Sequence, residues 1–132
     1  DEINQFRLKI WDIYYEGLKY LEDKYLINLP IVPYNCKHNA HMFYIKLKDL
    51  ETRTNLINHL KQNNINAVFH YIPLHSSPAG KKFGRFIGED RYTSSESEKL
   101  LRLPLYYGIK EEEVLYIIKK IYEFFGENYK KL

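Results

Sequence analysis

Apolar residues recur at steps of three and four along the start of the chain. The stripe consists of Ile3, Phe6, Ile10, Ile13, Tyr14, Leu18, Leu21 and Tyr25. This spacing places all of them on one face of an α-helix, because a helical turn takes 3.6 residues. We therefore predict a helix to about Lys24, which packs poorly on its own chain or contacts another subunit. The chain also opens inside this pattern without a capping residue, so we expect it to be part of a longer protein.

Shorter patterns predict three strands and three further helices. Runs rich in branched and aromatic residues predict strands at 41–47, 65–71 and 103–106. Asp49 can cap a helix that ends near Asn63 and Asn64, which tolerate left-handed geometry. A capping box at Thr93–Glu96 predicts a short helix to about residue 101, and three glutamates open a last helix over 111–125.

The order of these elements predicts an α+β fold in which a small sheet is covered by helices on one side. Pro104 lies inside the third predicted strand and has no amide hydrogen to donate. We therefore expect that strand to lie at an edge of the sheet or to contain a bulge. Residues 72–92 contain two prolines and three glycines, which predicts a long functional loop.

Composition limits the function classes. A chain of 132 residues fits one domain, and its 13 tyrosines suit half-buried interface surfaces. The net charge of +3 and the lack of a basic aromatic strand motif argue against nucleic-acid binding, and the alternative function left open is a small α+β module that binds another protein or a nucleic acid. No apolar run has the length of a membrane span. Cys36 is the single cysteine, so we expect no internal disulfide and a reducing, cytoplasmic setting.

Cys36, His38 and His41 form a C-x-H-x-x-H spacing that could suggest zinc. A structural zinc site requires four ligands, and neither a second cysteine nor a nearby histidine completes the set. We therefore predict no metal site here.

A group of cationic residues in the glycine-broken loop could contact a phosphate. The group is Lys81, Lys82, Arg85 and Arg91. No phosphate-binding loop motif accompanies it, and solvated surface charge is the favoured interpretation.

His70, Tyr71 and His75 are the stronger candidates for ligand binding. They lie where an apolar strand gives way to a loop that Pro73 stiffens. Strand alternation would place His70 and Tyr71 on opposite faces, whereas His75 could turn toward either. Cross-strand packing by the first two, with His75 as a loop histidine, is an equally good interpretation of the spacing.

Four segments in order resemble the carboxyl-terminal third of sugar aminotransferases of the DegT/DnrJ/EryC1 family. They are INQFRLKIWDIYYEGL, NAHMFYIKL, VFHYIPLHSSPAG and SESEKLLRLPLYYGIKEEEV. The resemblance implies the small domain of a fold-type-I pyridoxal-phosphate enzyme, with an antiparallel three-stranded sheet. Residues 1–29 would form the interdomain helix and the start of the connector, and residues 30–132 the small domain. The large pyridoxal-phosphate-binding domain would be absent.

The same resemblance implies a function. The parent enzyme, a homodimer, would transfer an amino group from glutamate to C4 of a dTDP-4-keto-6-deoxyhexose for polysaccharide synthesis. His75, Tyr71 and, less firmly, His70 would contact the nucleotide-sugar, and His41 would be structural. By the same resemblance the catalytic lysine would lie outside this chain, so we expect this chain to be inactive alone and to bind no cofactor.

Overall fold

The computed structural model describes residues 2–129, which form five α-helices and three strands. The helices are α1 (Glu2–Asp23), α2 (Leu50–Gln62), α3 (Pro78–Phe83), α4 (Thr93–Lys99) and α5 (Glu111–Phe124). The strands are β1 (Phe43–Lys46), β2 (Val68–Phe69) and β3 (Leu100–Leu103), and a 3-10 helix (Leu74–Ser76) precedes α3. The predicted division into 1–29 and 30–132 includes positions 1 and 130–132, which lie outside the described residues.

The three strands form an antiparallel sheet in the order β1-β3-β2. Phe43 pairs with Leu103 and Ile45 with Leu101, so these four buried side chains share one face. That face packs into the core with residues of the long helices. The predicted α+β class, with a small antiparallel three-stranded sheet and flanking helices, is confirmed.

The prediction for the third strand was wrong in both position and placement. The strand spans Leu100–Leu103 and lies at the centre of the sheet, so Pro104 follows it instead of sitting within it. A central strand needs an amide donor toward each neighbour, which proline cannot supply. The strand therefore ends one residue before Pro104, and no edge position or bulge is required.

The second strand is shorter than predicted, while the preceding helix end is as expected. Asn64 adopts a positive φ of 60° just after α2, which confirms the predicted left-handed end. Ile65 and Ala67 are buried, but only Val68 and Phe69 pair with β3. Asp49 caps α2 as predicted, because its carboxylate accepts a hydrogen bond from the amide of Thr52 at 2.7 Å.

The expectation that the first helix packs poorly on its own chain was wrong. Its buried residues are Ile10, Trp11, Tyr14, Leu18 and Leu21, and it packs against α5 in the same core. The helices approach closely at Gly17, where an added Cβ would lie 2.6 Å from Cδ1 of Ile118. The apolar face of α5 therefore supplies the partner surface that the stripe requires. Ile3 and Tyr25, at the two ends of the stripe, remain exposed.

Tyr14 links α1 to the exit of β3. Its ring is fully buried against Phe43, and its hydroxyl donates a hydrogen bond to the carbonyl oxygen of Pro104 at 2.8 Å. Burial raises the pKa of this phenol far above its ordinary value, so the hydroxyl stays protonated and remains a donor. The contact fixes the chain where it leaves the central strand.

We expect Tyr14→Phe to lower the free energy of unfolding by about 1–2 kcal/mol, because it removes the hydrogen bond to the partly buried Pro104 carbonyl. Urea denaturation of the two proteins measures the difference. Tyr107→Phe is the matched control, since the Tyr107 hydroxyl donates to Glu2 on the surface; its effect should stay within about 0.5 kcal/mol. Equal effects of the two substitutions would contradict this role for Tyr14.

Candidate functional site

The strand that leads to the predicted site ends at Phe69, one residue before His70. The His70–Tyr71 peptide bond is cis, and the two rings meet edge to face with centroids 3.6 Å apart. Because pairing with β3 ends at Phe69, strand alternation does not apply to His70 and Tyr71. The prediction that the two side chains lie on opposite faces of a sheet was wrong, because pairing stops before they are reached.

His70 lies in a positive electrostatic environment. Desolvation, the Arg102 guanidinium and, to a smaller extent, His41 lower the pKa of the His70 imidazole below its ordinary value. The ring is therefore neutral at pH 7, with one nitrogen that donates and one that accepts. Tyr71 beside it is 66% exposed, so its phenol is available to a ligand.

His75 lies in the 3-10 helix and makes contacts within its own loop. Its Nε2 atom lies 2.9 Å from Oδ2 of Asp90, and each of these side chains is only 20% exposed. Its ring also packs on Phe86, with centroids 4.6 Å apart. The structure therefore divides the three predicted residues into two groups, His70 with Tyr71 and His75 with Asp90.

Sequence reasoning missed Asp90. Its carboxylate accepts hydrogen bonds from the hydroxyl of Ser94 and, at 3.3 Å, from the amide of Ser94. Those bonds, the Ser94 hydroxyl first, hold the pKa of Asp90 below its ordinary value, and His75 contributes a smaller lowering. The predicted capping box was wrong, because no side chain caps α4 at Tyr92 or Thr93 in the expected way. An aspartate just ahead of a helix start was the available signal.

Internal hydrogen bonds order the loop between β2 and α4. The Pro73 carbonyl accepts from the amides of Ser76 and Ser77, and the Ser77 hydroxyl accepts from the amide of Gly80 to cap α3. Gly80 is required there, because an added Cβ would lie 1.7 Å from the Leu74 carbonyl oxygen. The loop is therefore held in place by hydrogen bonds within its own sequence.

This ordered loop presents large apolar side chains to solvent. The exposed fraction exceeds half for Tyr71, Ile72, Leu74, Phe83, Ile87 and Tyr92. Concentration of such residues in one segment is typical of a surface that another part of a protein covers.

The other candidate clusters of the sequence are not assembled into sites. Cys36 is exposed, the His38 ring packs on Trp11, and His41 bonds to Asn39. Among residues 2–129, no three His, Cys, Asp or Glu side chains are grouped as metal ligands.

The cationic residues of the loop are scattered. The Arg91 guanidinium pairs with Glu89 at 3.1 Å, the Lys82 ammonium lies 5.0 Å from the centre of the Phe83 ring, and Lys81 and Arg85 are exposed. This arrangement is typical of solvated surface charge. None of the described helices combines the length and apolar character that a bilayer span requires.

Comparisons with known proteins identify the class of protein. Residues 1–122 match the model of the DegT/DnrJ/EryC1/StrS aminotransferase family. The chain is 29% identical over 126 residues to an uncharacterized protein of Methanocaldococcus jannaschii, covering 92% of this chain and 32% of that protein.

Two solved structures share the fold. DesV of S. venezuelae, solved in complex with a ketimine intermediate, matches with a TM-score of 0.81 and 27% identity over 93% of this chain and 32% of its own. The aminotransferase TlmJ of Streptoalloteichus hindustanus matches with a TM-score of 0.82 and 20% identity, covering 95% of this chain and 32% of its own.

The chain belongs to the DegT/DnrJ/EryC1/StrS aminotransferase family. It spans about a third of the length of the relatives that it matches.

We expect Asp90→Ala to loosen the start of α4, because the Ser94 amide loses its acceptor. Hydrogen exchange at that amide should become faster, while exchange at the core amides of α5 stays unchanged. Glu89→Ala is the matched control, since Glu89 pairs only with exposed Arg91 in the described structure. Unchanged exchange at Ser94 in the Asp90 variant would contradict the role of this carboxylate.

The wild-type chain should show a matching pH dependence. Because the folded-state pKa of Asp90 is lowered, its contribution is complete above the ordinary value of 3.8 and is lost as the pH falls through the lower folded value. Protection of the Ser94 amide measured down the acid range should therefore persist below pH 3.8 before it falls.

Proposed function

We propose that this chain is the small domain of a pyridoxal-phosphate-dependent sugar aminotransferase. The observation that carries the proposal is the preformed loop after β2, which holds His70, Tyr71 and His75 beside a group of exposed apolar side chains. The family match and the shared fold support it. In the parent protein this loop would close over the substrate, with the rest of the enzyme covering the apolar residues.

We further propose a nucleotide-sugar as the substrate, with amino transfer from glutamate to C4 of a dTDP-4-keto-6-deoxyhexose. The parent would be of the dTDP-4-amino-4,6-dideoxygalactose transaminase type and would act as a homodimer. The resemblance of the loop and of the RLPLYYGIKEEEV segment to such enzymes supports this choice. Tyr71 and His75 offer a phenol and an imidazole, which suit the hydroxyl and phosphate oxygens of such a ligand.

The residues of this chain do not themselves fit pyridoxal phosphate. Covalent attachment requires a lysine amine in a pocket that also accommodates a phosphate. A cavity of about 790 Å³ at the end of the sheet has no lysine among its lining residues. A second cavity of about 730 Å³, between α1 and residues 126–129, includes Lys19 but also Glu16, Asp23 and Glu127, which repel a phosphate.

The cofactor would therefore be held by the part of the enzyme that precedes this domain, where it would supply the electron sink. The residues of this chain would bind and orient the sugar and exclude water. The division into an interdomain segment at 1–29 and the small domain at 30–132 belongs to the same proposal.

We expect the 132-residue chain to form no specific adduct with pyridoxal phosphate, because no described cavity combines a lysine with a phosphate site. The measurement is absorbance near the Schiff-base band, followed by borohydride reduction and peptide mapping. Label scattered thinly over surface lysines would agree with this expectation. Stoichiometric reduction at one lysine would contradict it.

The proposed parent enzyme provides the direct test of function. We expect it to transfer the amino group of glutamate to a dTDP-4-keto-6-deoxyhexose, and we expect Tyr71→Phe or His75→Ala to raise KM for the sugar about tenfold, because each removes a polar contact. Tyr34→Phe is the control, since Tyr34 is fully exposed outside the loop. An unchanged KM in both loop variants would refute the assigned roles, and absence of transfer to any keto-sugar would refute the function.

A further inference from the structure

The face of the sheet that points away from the core carries a row of three side chains, of which Tyr44 and Arg102 are half-buried and Val68 is exposed. Arg102 on the central strand pairs with Tyr44 on one side and Val68 on the other, and directly paired residues share a face. Their neighbours in sequence, such as Leu101 and Leu103, are buried on the opposite face. Alternation therefore sends the Arg102 guanidinium toward the open face.

Arg102 has no acceptor of its own there. Within residues 2–129, no carboxylate or carbonyl oxygen accepts a hydrogen bond from its guanidinium or pairs with it. By contrast, Arg91 pairs with Glu89 and Arg53 donates to the Ser97 carbonyl. An arginine keeps its charge at any physiological pH and offers five donors in a rigid fork. An arginine on the open face of the sheet without an acceptor from its own chain is therefore available to an anion from outside the chain.

The imidazole of His70 lies near Arg102 on the sheet side. His70 is close enough for Arg102 to lower the pKa of its imidazole, and His41 acts in the same direction. The neutral His70 ring can still donate one hydrogen bond to an anion. Arg102, Val68 and Met42 also line the 790 Å³ cavity, so Arg102 borders a space that a ligand can enter.

Two carboxylates from the first turn of α5, Glu112 and Glu113, also line the cavity. Glu113 is already engaged, because its Oε2 accepts a hydrogen bond from the amide of Lys110 at 2.8 Å. Glu112 is exposed to solvent, which weakens its field at the sheet wall. The cavity is thus cationic at the sheet and acidic at the helix, which orients an anionic group toward Arg102.

We propose that Arg102, with His70, forms an oxyanion-binding site on the open face of the sheet, for a phosphate or a carboxylate group. The guanidinium would bind two oxygens of the anion in parallel, and the His70 ring would donate to a third contact or to the same oxygen. Assignment of the anion to the substrate, as the diphosphate of the nucleotide-sugar or the carboxylate of the amino donor, rests on the proposed function. The site itself rests on the geometry of the sheet.

The test is an NMR titration of the 132-residue chain at pH 7 and fixed ionic strength. One arm adds inorganic diphosphate, the other adds glutamate, and sodium chloride keeps the salt constant. We expect saturable shifts at the Arg102 Nε–H and at the amides of Val68 and Tyr44 in at least one arm. Saturation with diphosphate alone identifies a phosphate site, and saturation with glutamate alone identifies a carboxylate site.

Arg102→Gln should weaken binding about tenfold, because it removes a charge-assisted bond. Arg91→Gln removes the same charge from an ion-paired surface position and should change affinity less than about twofold. Arg102→Lys keeps the charge without the fork and should fall between them, which also covers the case in which the glutamine variant fails to fold.

Any of three results would contradict the proposed oxyanion-binding site. They are the lack of a saturable shift in either arm, equal weakening by Arg102→Gln and Arg91→Gln, and undiminished binding by Arg102→Gln. None of them depends on amino transfer, which is measured on the proposed parent enzyme. A failure of the oxyanion site and a failure of the proposed function are therefore separate outcomes.

Discussion

One-sided packing of the three-stranded sheet is the constraint on which the rest of this structure depends. Phe43, Ile45, Leu101 and Leu103 turn one face of the sheet into the core that α1 and α5 complete. Because side chains alternate along a strand, the same choice sends Tyr44 and Arg102 to the other face. The helices stabilise the fold from one side, and the groups able to meet a ligand collect on the other side and at the strand ends.

The sequence pattern predicted the elements wherever a local period coincides with the tertiary contacts. The apolar stripe of α1 and the alternation of β1 are both local sequence patterns. Both elements are present in the structure. The end of β2 could not be predicted from its own sequence, because it depends on the partner strand β3. Phe69 pairs with Leu101, and the next step toward His70 would meet Leu100, where β3 emerges from α4. Nothing in the sequence of residues 65–71 indicates where β3 begins.

The candidate site was predictable in its composition and unpredictable in its contacts. His70, Tyr71 and His75 stand out because a strand, a proline and a loop coincide there. The contact between His75 and Asp90 requires the chain to turn back through α3, and that turn depends on Gly80 fitting against the Leu74 carbonyl. Arg102 was overlooked for a similar reason, since it looks like an ordinary strand residue until the register places it on the open face.

The loop between β2 and α4 is ordered before anything covers it, which bears on how it could act on a substrate. Fixing the backbone of each residue costs about 1–2 kcal/mol in conformational entropy. Here hydrogen bonds to the Pro73 carbonyl, the Ser77 hydroxyl and the Asp90 carboxylate offset part of that cost within the chain. A surface that is already ordered gives up less free energy on binding than one that must fold around its ligand. Burial of the exposed apolar residues can then stabilise the contact with a partner surface. The polar groups of the loop can distinguish one ligand from another.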